Sequence, residues 1–224
     1  MYSGLVAAHA YRTVAPCTYA AVVLVGPSHF VAFEGISIWA RGAWETPFGE
    51  VPIAEDMAAA VAAASAEIVE YPAAHAREHS LEMQLPFLAH LFPGVPIVPL
   101  VMGHQRRQTA LALGDDLARA LETRAGERVL LVASSDLSHY ENAAVASRLD
   151  AVVLQHVEAL DADGLMDALE GDPRHACGGG PMVSVLRAAT RLGCTEARVL
   201  RYGDSGDVSG DKSSVVGYMA AAIW

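Results

Sequence analysis

Polar side chains that can transfer protons or bind metals recur in this sequence directly after apolar, β-branched runs. VVLVGPSH ends at His29, IVPLVMGH ends at His104, and VLLVASSDLSH supplies Ser134, Ser135, Asp136 and His139. Asp136 precedes His139 by three residues, close enough for the carboxylate to orient the imidazole and raise its basicity, as a general base requires. The alternative interpretation of this pair is an Asx turn beside a surface histidine.

A cysteine stands in a similar position near the end of the chain. In HACGGGPMVSVLRAAT, Cys177 precedes three glycines and a proline, and a helical pattern follows. The positive end of that helix would favour a thiolate, the form that binds metals or attacks electrophiles. A small buried residue beside a glycine-rich turn is the alternative. Cys17 and Cys194 have no such setting, and three scattered cysteines do not form a disulfide framework.

The segment AAHAREHSLEMQLPFL supports three different interpretations. His75, Glu78 and His79 match H-x-x-E-H, a zinc-peptidase pattern with two metal-binding histidines and a glutamate base. Alternatively, His79 and Glu82 are spaced i,i+3 and could share one helix face as catalytic residues. The third interpretation is an amphipathic helix that buries its leucines, although Pro86 would kink it.

The elements around these residues indicate an α/β fold with one domain and a mixed, largely parallel central sheet flanked by helices. The predicted strands are 19–25, 36–40, 96–101, 128–134, 196–202 and 214–223. The predicted helices are 4–15, 54–69, 78–91, 105–124, 143–159, 162–170 and 180–192. Ligands of open α/β sheets bind beyond the carboxyl ends of the strands, so the polar residues there should converge on one crevice. We expect residues 201–214 to form a solvated turn.

Composition limits the classes of partner. The chain has 224 residues, of which 53% are hydrophobic, and 15 Lys plus Arg oppose 26 Asp plus Glu, for a net charge of −11. This charge, without a basic cluster, argues against nucleic acid and anionic membranes as partners. No apolar run approaches the ~18 residues of a membrane-spanning helix, and no basic leader opens the sequence. We therefore expect a cytoplasmic protein.

Five motifs in order resemble the Memo-like family, the bacterial and archaeal proteins called AmmeMemoRadiSam system protein B. They cover essentially the whole chain: GPSH at 26–29, EHSLEMQLPFL at 78–88, SSDLSHY at 134–140, CGGGP at 177–181 and SGDVSGDKSSVVGY at 205–218. The resemblance implies a fold like that of the class III extradiol dioxygenases, with a metal-type pocket at one end of the sheet, formed here by residues 1–224 as a single domain.

The resemblance also implies roles for individual residues. His29 would be a metal ligand, and Cys177 would stand where a dioxygenase offers a carboxylate. His139 would be the pocket base with Asp136 beside it. His79 and Glu82 belong to a family motif and are further candidate catalytic residues.

The sequence departs from the family pattern at its start. Family members usually read P-H-A-G-Y-x-Y-S-G, and the histidine of that motif is the remaining metal ligand, whereas this chain opens at Met1-Tyr2-Ser3-Gly4. We therefore expect the family's first strand and first ligand histidine to be missing here. A redox metal, iron or copper, would then bind weakly or not at all.

Three functions follow from these patterns. The first is a metal-dependent oxidoreductase with a dioxygenase-like, vestigial pocket. The second is a non-catalytic module that binds a small molecule or peptide, with an anion held at the glycine-rich helix start after Cys177. The third is a zinc-dependent hydrolase built on His75, Glu78 and His79. Assembly into a homodimer is compatible with each of them.

Overall fold

The computed structural model describes residues 2–224, in which strands and helices alternate along most of the chain. The strands are β1 Ala21–Pro27, β2 Ile36–Ile38, β3 Ala43–Thr46, β4 Gly49–Pro52, β5 Ile68–Val69, β6 Ile97–Met102, β7 Val129–Ala133, β8 His139–Glu141, β9 Ala197–Asp204 and β10 Val215–Ile223. The α-helices are α1 Gly4–Val14, α2 Glu55–Ala63, α3 Leu85–Leu91, α4 Arg107–Glu122, α5 Ala143–Glu158, α6 Ala162–Gly171, α7 Gly179–Arg191 and α8 Gly206–Ser209.

The central sheet is mixed and mostly parallel, which confirms the predicted fold class. Its strand order is β5-β2-β6-β1-β7. β1 pairs parallel with both β6 and β7, and β2 pairs parallel with β5 but antiparallel with β6. β1 is paired at both edges and buried along its whole length, which suits its unbroken run of β-branched and apolar residues.

The parallel pairing places three strand ends at one edge of the sheet. Pro27 of β1 lies opposite Met102 of β6, and Val25 lies opposite Ala133 of β7. The chain segments that follow these strands therefore leave the sheet side by side. This is the convergence that the sequence predicted.

The last strands form a second sheet, which the sequence did not separate from the first. β8, β10 and β9 pair antiparallel, with β10 in the middle, and α1 packs on β9 and β10. A further hairpin of β3 and β4 was also missed. Its strands are short and mostly exposed, so they lack a run of buried apolar residues that would mark them.

Two predicted helices are wrong in extent. Helix 54–69 ends at Ala63, after which the chain turns into β5. In 78–91 only α3 is α-helical, and a 3₁₀ turn, Glu82–Gln84, precedes it. The backbone N–H groups of His79 and Ser80 donate to the Glu78 carboxylate, and residues 78–81 do not form an α-helix.

The other boundaries agree within a few residues, with one exception. The predicted turn 201–214 contains the end of β9 and the short helix α8. Within the described residues, no helix combines the length and apolar character needed to cross a membrane.

Tyr140 in β8 has an unusual backbone conformation beside a candidate catalytic residue. Its φ is +62°, in the left-handed region, and its side chain lies in solvent, with the residue 78% exposed. A side chain in this region crowds the following carbonyl oxygen, whereas glycine does not. The ring therefore contributes little packing to offset this strain.

We predict that Tyr140→Gly stabilises the chain by about 1 kcal/mol, because it removes the steric cost and sacrifices little packing. Urea unfolding would measure the difference. Phe48→Gly is the matched control, since Phe48 is also an exposed aromatic residue, at 62%, but has no positive φ. The Phe48→Gly substitution should not stabilise the chain. A Tyr140→Gly variant no more stable than the parent would contradict the prediction.

Candidate functional site

The ends of β1 and β7 bring several predicted site residues together around Asp136. Burial raises the pKa of this carboxyl, while the charges of His139, His29 and His79 lower it without fully offsetting the effect. His29 and His79, which are distant in sequence, thus act together with His139 on one carboxylate. The carboxyl edge of the sheet therefore carries a concentrated group of titratable side chains.

A buried glutamate holds His29 in place. The backbone N–H of His29 donates to Glu78 Oε2 at 2.5 Å, and its ring Nδ1 lies 2.8 Å from Glu78 Oε1. The backbone N–H groups of His79 and Ser80 also donate to Oε1, each at 2.9 Å. The Glu78 side chain is 0% exposed. Four N–H donors therefore surround one buried carboxylate.

These donors determine the protonation of the pair. Burial by itself would raise the pKa of Glu78, but the hydrogen bonds from His29 and Ser80 outweigh it and lower the pKa. An ionised carboxylate only accepts hydrogen bonds, so Nδ1 of His29 must carry the proton. In the neutral ring, Nε2 then carries the free lone pair. A carboxylate behind an imidazole in this way is a common arrangement at metal sites, where it fixes the ligand tautomer.

His79 lies directly beside His29. The two rings stack with centroids 4.7 Å apart and an angle of 27° between them. Ligand atoms of His29, Glu78 and His79 all lie within 4.8 Å of one another, and the described residues contain no other such group. These three side chains could hold a metal ion. Glu78 Oε1 already accepts three hydrogen bonds, so the imidazoles are the better metal ligands, and Glu78 orients the ring of His29.

The predicted acid–base pair is present, at ion-pair distance. His139 Nε2 lies 3.8 Å from Asp136 Oδ2, which is too long for a hydrogen bond. Both side chains are partly exposed. His139 lies opposite Val216 of β10, so the second sheet fixes its position. The pair can exchange a proton with a bound molecule while the two charged forms stabilise each other.

Cys177 contacts the same segment through its sulfur. Its Sγ accepts the backbone N–H of Asp136 at 3.3 Å and lies 3.9 Å from Ser135 Oγ. Burial raises its pKa, and the nearby charge of Asp136 raises it further, which outweighs that hydrogen bond. The cysteine lies two residues before α7, as predicted, whereas this pKa shift is opposite in direction to the one expected from the helix end. Cys177 also does not join the His29 group.

The start of α7 is already occupied by protein acceptors. Gln105 Oε1 accepts the N–H of Gly180, and its amide donates to the Cys177 carbonyl, each at 2.7 Å. Ser135 Oγ accepts the N–H of Gly178 at 2.8 Å. The anion site that the glycine-rich motif suggested therefore lacks these free N–H groups.

Two other predictions are not supported by the geometry. Glu82 is exposed, and its side chain makes no hydrogen bond or ion pair with the residues described here, so it does not share a helix face with His79. His75 is buried between Trp39 and Trp44, with Nε2 2.9 Å from Ser37 Oγ. The hydrolase arrangement of two histidines on one metal is thus absent.

Glu78 is the residue of the candidate site whose partner the sequence did not indicate. It appeared only as the base of the hydrolase pattern, whereas the structure places it behind His29, which is 49 residues away in the chain. No local spacing reports such a contact. His104, the remaining strand-end histidine, is exposed and lines a cleft next to His29.

Comparison with known proteins identifies a family model and relatives that match almost the whole chain. The family model described as "Memo-like protein" matches residues 1–222. A MEMO1 family protein of Caldivirga maquilingensis is 37% identical, over 100% of this chain and 79% of the relative; one of Methanosarcina mazei is 38% identical, over 100% and 82%. The crystal structure of the uncharacterized protein JW3007 from Escherichia coli K12 shares the fold, with a TM-score of 0.60, 16% identity and coverage of 93% of this chain and 90% of that one. This chain belongs to the Memo-like protein family.

Proposed function

We propose that this chain binds a redox-active transition metal through Nε2 of His29 and acts as a metal-dependent oxidoreductase of the dioxygenase type. The observation that carries the proposal is the contact between His29 Nδ1 and the buried Glu78 carboxylate. A loop histidine without a ligand has no need of a fully desolvated, ionised partner. A metal ligand does, because the partner keeps Nε2 unprotonated and fixes the ring.

The donor set fits iron or copper better than a hard cation. Imidazole nitrogens at His29 and His79 suit both metals, whereas magnesium and calcium prefer oxygen ligands. Such a metal, when bound, supplies redox chemistry and polarises an oxygen atom of a bound molecule. We expect weak binding, because these residues offer two partly exposed imidazoles and a carboxylate that is already hydrogen-bonded.

Asp136 and His139 would provide the proton transfer. The His139 imidazole accepts a proton from an acidic group of the bound molecule, and the Asp136 carboxylate at 3.8 Å stabilises the imidazolium. Glu78 takes no part in this step, since its oxygens are engaged by backbone and His29 donors. The roles are thus divided between a carboxylate that orients and a pair that moves a proton.

The metal proposal predicts a specific histidine dependence. Calorimetric titration of the chelator-treated chain with Cu²⁺, and with Fe²⁺ under anaerobic conditions, should detect one weak site. His29→Ala should weaken it at least about tenfold, because it removes the oriented ligand. His104→Ala is the control, since His104 is an exposed histidine at the same edge but outside the His29 group. Equal loss in both variants, or no site in the parent chain, would overturn the proposal.

A second prediction concerns the residue behind the ligand. Glu78→Gln should weaken metal binding about 10- to 100-fold without removing it, because the ligand remains but its orientation and basicity suffer. Glu82→Gln, a change of the exposed glutamate four residues on, should leave affinity within about twofold. Circular dichroism would verify that both variants are folded. If the two variants bind metal alike, Glu78 does not orient a ligand.

A further inference from the structure

A small cleft opens beside His29 where β1 and β6 end. It has a volume of about 230 Å³ and is lined by residues 28–32 and by Gly103 and His104. Pockets for drug-sized molecules measure roughly 300–1,000 Å³, so this cleft suits a smaller ligand. It lies at the carboxyl edge of the sheet, where α/β folds bind their ligands.

The walls of the cleft are held by internal hydrogen bonds. The backbone N–H of Ser28 donates to Met102 at 2.8 Å, and Ser28 Oγ donates to the Val31 carbonyl at 2.7 Å. On the opposite wall, Gly103 donates to Gly35 at 3.0 Å and His104 to Phe33 at 2.8 Å. A side chain at Gly103 would meet the Phe33 carbonyl, so the walls approach closely here. The cleft is therefore formed before any ligand arrives.

Three backbone donors in this cleft are left without an acceptor. The consecutive backbone N–H groups of Phe30, Val31 and Ala32 donate to no acceptor within residues 2–224. His29 and His104 also line this space, and no acidic side chain does. The Glu78 charge beneath His29 is met by four N–H donors. A ligand that accepts hydrogen bonds would match this lining.

One side of the cleft adds a cation and an apolar surface. The Arg77 guanidinium lies 5.0 Å from the centre of the Phe30 ring, and Arg77 forms no ion pair with the residues described. Phe30 is half exposed and also contacts the ring of His79 edge-on. Phe30 and Val31 would cover a flat or short apolar body while the guanidinium faces an anionic end.

We propose that this cleft binds a small organic carboxylate, with its carboxylate on the free N–H groups of residues 30–32 and its apolar body against Phe30. The proposal deepens the proposed function and rests on it for the role of His29, because His29 both lines the cleft and would hold the metal. It names the chemical class of the substrate. Donors, a nearby cation and an apolar wall together favour an organic acid over a neutral molecule or an inorganic anion.

The test uses benzoate as the probe on protein that has been stripped of metal and then freed of chelator by gel filtration. Amide ¹H–¹⁵N spectra should show saturable shifts at Phe30, Val31 and Ala32. Benzamide, which has the same shape without the charge, should bind at least about tenfold more weakly, a difference of about 1.4 kcal/mol. Arg77→Gln should weaken the binding of benzoate about two- to fivefold, as expected for an exposed charge contact. Arg41→Gln, at another exposed arginine, should have no effect.

Other outcomes of this test would overturn the carboxylate proposal or separate it from the metal proposal. Equal binding of benzoate and benzamide, or no shift at residues 30–32, would overturn the carboxylate proposal. Inorganic phosphate binding as tightly as benzoate would also overturn it, since an apolar body would then add nothing. If benzoate binds as expected while no His29-dependent metal site is found, the ligand class stands and the proposed function fails. If a His29-dependent metal site is found but benzoate does not bind, the ligand class fails and the proposed function stands.

Discussion

The buried carboxylate of Glu78 is the interaction on which the candidate site depends. A desolvated charge is costly unless donors surround it, and charge-assisted hydrogen bonds contribute roughly 1.5–3 kcal/mol each. Four N–H donors, from His29, His79 and Ser80, meet this requirement. The same bonds fix the backbone at residues 78–80 and hold the His29 ring. One carboxylate therefore positions the His29 ring and leaves Nε2 of that ring with the free lone pair.

The parallel pairing of β1 with β6 and β7 supplies the second constraint. It brings the segments after three strands to one edge, where His29 lines the cleft and its charge acts on Asp136. A candidate ligand atom, a candidate proton-transfer pair and a cleft with free N–H groups thus lie at the same edge. In the proposed function, Glu78 orients His29, His29 holds the metal and His139 moves the proton, so one small pocket would accommodate several chemical tasks.

The sequence predicted those features that depend on local patterning. Apolar β-branched runs identified the core strands, and the position of His29 and Asp136 after them indicated their convergence. Pairing across 49 residues, as between His29 and Glu78, leaves no periodic signal, so the sequence related Glu78 only to its chain neighbours His75 and His79. The predicted helix 78–91 becomes α-helical only from Leu85, with Pro86 in the first turn, where its missing N–H costs nothing. Cys177 lies before α7 as predicted, but burial raises the pKa of its thiol, opposite to the effect expected from the helix end.

The central claim, that Glu78 fixes the tautomer of His29, is most directly tested by ¹⁵N NMR of the histidine rings in the metal-free chain at neutral pH. We predict that His29 carries its proton on Nδ1, that this proton exchanges slowly because it is donated to a buried carboxylate, and that Nε2 is unprotonated. A His29 ring protonated on Nε2 alone, or an even mixture of the two tautomers, would contradict it.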